Sequence, residues 1–133
     1  MKEKNKGERY DHGRKTMMEM MGASGSDIIE HLQQLHPDIA DLVISGYSDI
    51  YARPGLEKKQ RAIVTLTSLI TQGAHEQLHA HTMTALHVGL TPNEILEIII
   101  QCTAYVGFPR ALSSLRVVQE VLKDKGLEFE ISE

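Results

Sequence analysis

The chain has 133 residues, 41% hydrophobic and 24% charged; that suffices for one hydrophobic core, is too short for two ordinary ones and is too apolar for a mostly disordered chain. Fourteen basic against eighteen acidic residues give a formal charge of −4, and without a block of Lys and Arg beyond the scattered N-terminal lysines nothing favours a nucleic-acid partner. The single cysteine, Cys102, excludes an intramolecular disulfide, a CxxC redox pair and iron–sulfur ligation, and fits a reducing cytoplasm.

The opening MKEKNKGERYDHGRK is charged throughout and offers no apolar signal segment. The longest apolar stretch, ILEIIIQCTAYVGF from Ile95, is interrupted by Glu97 and Gln101 and falls short of the roughly 20 residues that cross a bilayer. The expectation is a soluble, cytoplasmic protein with no membrane partner. Helix signals recur and strand alternation does not, so the predicted fold is all-α, a single-domain helical bundle of about six to seven helices over residues 1–133, with 1–7 and 127–133 as loose tails.

A first helix is expected from Glu8 to Met21, stopping at Gly22, with Ser26 or Asp27 capping a second. His36-Pro37 marks the next boundary, and Pro37 opens a third helix to about Tyr51. Arg53-Pro54-Gly55 turns the chain into a helix from Glu57 to Gln72, with Ile63, Leu66, Leu69 and Ile70 on its core stripe and Gly73 at its end. A helix from His75 to Val88 follows, up to Gly89. Thr91, Pro92 and Glu94 then spell a capping box that opens a helix to about Val106. After Gly107-Phe108-Pro109 a last helix runs from about Arg110 to Lys125 and ends at Gly126, leaving LEFEISE as a tail or a strap on a neighbour. The helix from Pro92 is apolar nearly all round, through Ile95, Leu96, Ile98, Ile99, Ile100, Cys102 and Ala104, which in a domain of this size implies a homo-oligomer.

The chemistry concentrates in QGAHEQLHAH, Gln72 to His81. At roughly 100° per residue, Ala74, Gln77, Leu78, His81, Ala85 and Val88 share one face, taken as the core face. Polar Gln77 and His81 on that face need partners or a function, since leaving them buried and unpaired costs about 1–3 kcal/mol each. His75-Glu76-Gln77-Leu78-His79 is also a literal H-E-x-x-H, in which two histidines one turn apart could hold zinc and Glu76 could activate its water. A hydrolytic zinc needs a third ligand; the residue three after His79 is Thr82, so the usual extension is missing and Glu94 or Glu97 would have to serve. The plainer reading makes His75 and His79 surface or interface histidines, and His81 a hydrogen-bonded core histidine. Met17, Met18, Met20 and Met21 read as adaptable packing rather than a soft-metal site, and Cys102 as a buried small side chain rather than a nucleophile.

From Arg53 onward, RPGLEKKQRAIVTLTSLI and HTMTALHVGLTPNEILEIIIQCTAYVGFPRAL, with His81, Ala85, Gly89, Glu94, Ile95, Glu97, Tyr105, Gly107 and Pro109 in order, resemble the carboxymuconolactone decarboxylase family, in its small single-domain branch. ERYDHGRKTMMEMMG and ISGYSDIYARPGL extend the likeness over most of the chain. The resemblance implies an alkylhydroperoxidase D-like helical fold assembled as trimers or hexamers. It also implies that His81 matches the histidine of a CxxCxxxH carried by redox members, whose cysteines fall at Ala74 and Gln77 and whose relay glutamate falls at Ala62, while Glu76 holds another relay position. Thiol peroxidase chemistry is thereby excluded. Tyr47 and Tyr51 stand where the branch usually carries tryptophan, and Gln77 where an acid is common.

The implied reaction is cofactor-free and metal-free decarboxylation of a small carboxylated lactone, 4-carboxymuconolactone, to the β-ketoadipate enol-lactone in protocatechuate-type aromatic catabolism. It requires a donor at the lactone oxygen, an acid, and a desolvated seat for the leaving carboxylate. His81 is the expected acid or oxyanion donor, with Glu76 and Gln77 as its catalytic companions. Arg53, His75 and Tyr105 are the expected substrate-binding residues. Two further readings are a paralogue or non-catalytic oligomer that binds a small acid, and a zinc hydrolase using His75, Glu76 and His79.

Overall fold

The computed structural model describes residues 6–131; the expected N-terminal tail up to residue 5, and residues 132–133 of the C-terminal one, lie outside the described residues. Regular structure among the described residues is helical throughout, in the order α1 Lys6–Met21, α2 Ala23–Leu35, α3 Pro37–Asp49, α4 Lys58–Gln72, α5 His75–His87, α6 Pro92–Val106 and α7 Phe108–Asp124. The chain divides into two compact units, one ending at Lys58 and the other beginning at Lys59.

In the first unit α1 lies so close to α3 that a Cβ on Gly13 would stand 1.7 Å from the Ile44 carbonyl oxygen. Only glycine permits that approach. Around it Met17, Met20, Met21, Ile29, Ile44 and Tyr47 are buried, so three of the four clustered methionines are packing, while Met18 is exposed. The rim is polar: Arg9 forks onto Asp49, and His12 Nδ1 shares a 2.8 Å hydrogen bond with Ser48 Oγ. α2 begins at Ala23, earlier than the expected cap at Ser26 or Asp27. Gly22, at φ 63°, reverses the chain in one residue, which leaves no loop for a side-chain cap. At the next boundary His36 is extended and its Nδ1 accepts from the Asp38 backbone N–H at 3.1 Å, with Pro37 in the first turn of α3.

The second unit holds a continuous aliphatic core made by Leu66 and Ile70 of α4, Leu78 and Ala85 of α5, Ile95, Ile98 and Ile99 of α6, and Val118 and Leu122 of α7. Ile63, expected on the α4 core stripe, is instead 40% exposed: the buried side of α4 is centred on Ala62, Leu66 and Ile70, which leaves Ile63 about 100° away from Ala62. α6 starts as its sequence predicts. Glu94 N–H donates to Thr91 Oγ1 at 3.1 Å and Thr91 N–H donates to Glu94 Oε1 at 2.9 Å, closing both halves of the capping box. α7 begins at Phe108, two residues before the expected Arg110, because Gly107 at φ 83° makes the turn alone and Pro109 is accommodated in the first helical turn. The C-terminal segment is strapped to its own chain. The Asn93 side chain donates to Glu130 O at 2.9 Å and accepts from Glu130 N–H at 2.8 Å, and Phe129 packs on the core.

Candidate active site

Helix α5 begins after Ala74 with no side chain capping it. Its buried side comprises Leu78, Thr82, Thr84 and Ala85. The threonines were hidden from an apolar pattern, yet Thr82 Oγ1 donates to its own helix at Leu78 O, 2.7 Å away, and so enters the core with its hydroxyl satisfied. Two threonines on the inner side rotate the buried arc away from the face drawn from apolar residues alone. Gln77, expected on the core face, is exposed as a result. His81 sits half-buried at the edge of that arc, and burial pushes its imidazole below the ordinary 6.5. Glu76 and His75 are exposed and His79 is half-buried.

Two cavities open in the second unit. The first, of about 530 Å³, lies between α4 and α6 and is walled mainly by Ile63, Ile98, Cys102, Tyr105 and Val106, with Glu97 and Gln101 among its polar groups. Tyr105 is 82% exposed there. Cys102 is buried and its thiol is pushed up by desolvation, so it is not a ready nucleophile. The second cavity, of about 460 Å³, is polar and gathers Gln72 and Gly73 from the end of α4, His75 from the start of α5, and Val106, Pro109, Arg110 and Ser113 around the start of α7. His81 lines neither cavity. Of the six site residues expected from the sequence, the structure therefore brings His75 to the polar cavity and Tyr105 to the apolar one. It places His81, Glu76 and Gln77 together only as neighbours along α5. Arg53 is exposed in the turn that closes the first unit, near the stacked rings of Tyr47 and Tyr51, whose centroids are 4.5 Å apart.

Arg110, Gln72 and Ser113 were missed by sequence reasoning. They line the polar cavity, where residues 39 apart meet: Arg110 Nη1 donates to Thr71 O at 2.6 Å. No local pattern encodes that contact, although the polar run through Gln72 and the Phe-Pro-Arg helix start are both visible in the sequence.

The zinc reading needs a third ligand beside His75 and His79. No group of three or more His, Cys, Asp or Glu side chains able to hold a metal is found among the described residues. Glu94, one of the two candidates, is committed to its capping box: the Thr91 backbone N–H, ahead of the Thr91 hydroxyl and Lys59, holds its carboxyl below the usual range. Nor is any helix of the described chain long and apolar enough to cross a membrane.

Comparison with known proteins gives a matching picture. The model of the carboxymuconolactone decarboxylase family matches residues 37–120, across both units. A 4-carboxymuconolactone decarboxylase of Acinetobacter baylyi is 27% identical over 125 residues, covering 92% of this chain and 93% of its own length. The nitrosuccinic acid decarboxylase npaB of Metarhizium robertsii is 34% identical over 79 residues, which is 59% of this chain and 55% of that protein. An uncharacterized 15.0 kDa protein of Paracoccus denitrificans is 31% identical over 73% of this chain and 75% of its own. An all-helical protein with such relatives is a carboxy-lyase. The chain belongs to the carboxymuconolactone decarboxylase family.

Proposed function

We propose that the protein decarboxylates 4-carboxymuconolactone to the corresponding enol-lactone, without a cofactor. The observation that carries this reading is the end-to-end match to the Acinetobacter baylyi enzyme, 92% of one chain against 93% of the other. The chemistry explains why no cofactor is needed. The bond to the ring carboxylate breaks, its electron pair moves through the ring double bond onto the lactone carbonyl oxygen, and carbon dioxide leaves. One proton then adds to the carbon beside that carbonyl and restores the lactone. The conjugated ring is its own electron sink.

What the protein must supply is a donor for the developing oxyanion and a proton for carbon. His81 fits both. Burial favours the neutral imidazole in the resting protein, so its N–H is the oxyanion donor. A doubly charged substrate raises the proton affinity of a nearby ring, and the same imidazole then collects the proton that is delivered to carbon. Gln77, one turn before His81, supplies a second donor, and Glu76 passes protons to the histidines from its exposed position. Tyr105, on the wall of the apolar cavity, is a further candidate substrate contact. Large apolar side chains left exposed on α6 and α7, Tyr105, Phe108 and Leu112 among them, support assembly of the protein as a homo-oligomer.

A second reading keeps the reaction type and changes the acid. The match to the nitrosuccinic acid decarboxylase favours a substrate whose electron sink is a nitro group, which would take the electron pair as a nitronate. Carbon dioxide release from the two acids, with wild type and His81→Ala side by side, decides between them. Release from the lactone alone, lost in His81→Ala, supports the first reading; release from nitrosuccinate alone replaces it with the second. A wild type inert towards both refutes each.

A further inference from the structure

Both acids named above share a property: after one carboxylate leaves as carbon dioxide, another stays on the product. A site for such molecules has to treat its two carboxylates oppositely. A cation held against the leaving carboxylate stabilises the charged ground state and slows the reaction. The retained carboxylate carries no such conflict and is the natural handle for binding.

We propose that the polar cavity between the ends of α4 and α6 and the starts of α5 and α7 binds the retained carboxylate, with Arg110 as the substrate-binding residue that anchors it. This rests on the decarboxylase reading above. The cavity presents four kinds of side-chain donor, from Arg110, His75, Gln72 and Ser113, and no carboxylate lines it among the described residues. In a chain with a net charge of −4, that composition selects an anion. Arg110 is also fixed in place. Its Nη1 hydrogen bond to Thr71 O ties it to the last turn of α4, and its guanidinium lies over Gly73, with Nε 3.5 Å and Cζ 3.6 Å from where a Cβ would be. Gly73, at φ 69°, makes the turn and gives the guanidinium a flat floor. One N–H is spent on the backbone, and the remaining edge of the fork is free to take a carboxylate. The apolar cavity has no arginine or lysine on its wall and cannot do this.

The test is calorimetric titration of the full chain with succinate, an unreactive dicarboxylate, alongside carbon dioxide release from 4-carboxymuconolactone. Arg110→Gln should weaken succinate binding by about tenfold or more, the size of one charge-assisted hydrogen bond, and raise KM by a similar factor with a smaller change in kcat. Ser113→Asp keeps Arg110 and puts a negative charge in the cavity three residues from it, where it competes for the guanidinium, so it should abolish succinate binding even if Arg110→Gln folds poorly. Unchanged succinate affinity in either folded variant overturns the proposal, as does wild-type turnover with no succinate binding. Succinate binding through Arg110 in a wild type inert towards the lactone supports the cavity and removes only that substrate.

Discussion

Helices α5 and α6 are neighbours of similar length, 13 and 15 residues, in the same unit, and they solve burial in opposite ways. α6 buries Ile95, Ile98, Ile99 and Cys102 and still exposes Ile100 and Tyr105. α5 buries two threonines beside Leu78 and Ala85, satisfies Thr82 on its own backbone, and carries four histidines, a glutamate and a glutamine around the rest. The difference separates function from stability. α6 has aliphatic surface beyond what its own unit buries, which suits an interface; α5 has proton-handling groups beyond what its fold needs, which suits catalysis.

The largest expected effect is on α5. His81→Ala should lower decarboxylation by about 10²–10⁴-fold, the usual worth of a general acid or base, while the melting temperature changes little because His81 is only half-buried. A collapse of stability with unaltered activity would make His81 a core group and erase the contrast.

On α6 the contrast lies within the helix. Ile95 is fully buried and Ile100 is 49% exposed, so Ile95→Ala should cost about 2–5 kcal/mol in denaturant unfolding. Ile100→Ala should stay within about 0.5 kcal/mol and show itself, if anywhere, in sedimentation. Equal losses would mean that the outward face of α6 is as deeply packed as its core.

Smaller again is the start of α6. Thr91→Ala removes one half of the capping box and should cost about 1 kcal/mol, read from the same unfolding curves. The smallest effect belongs to α5. Because burial lowers the His81 pKa below 6.5, the unfolded chain holds that proton more tightly than the folded one. The stability from a neutral His81 is therefore complete above that value and declines as pH falls below it. Thermal melts from about pH 8 to about pH 5 should slope less steeply in His81→Gln than in wild type. Parallel slopes would show that the ring is as well solvated as in the unfolded chain.

Much of the architecture was legible because its signals are local. Gly73, Gly89, Gly107 and Gly126 all take positive φ at or just beyond helix ends, and Thr91-Pro92-Asn93-Glu94 carries its cap in four residues. Where local reading went astray, at Ser26, Ile63 and Gln77, the deciding fact lay elsewhere: a one-residue glycine turn, or the position of a neighbouring helix. The candidate site divides the same way. His75, Glu76, Gln77 and His81 stand out within one helix, whereas Arg110 joins His75 only because α7 returns to the end of α4.

By itself the sequence determined that the chain is helical, where most helices start and stop, and to which family it belongs, because capping, glycine conformation and ordered motifs are properties of neighbours along the chain. The tertiary structure alone decided which side of each helix is buried, that Asn93 straps the C-terminal segment, and that Arg110, Gln72, His75 and Ser113 share one cavity. Those outcomes depend on contacts between residues tens of positions apart, and no periodicity within a helix records them.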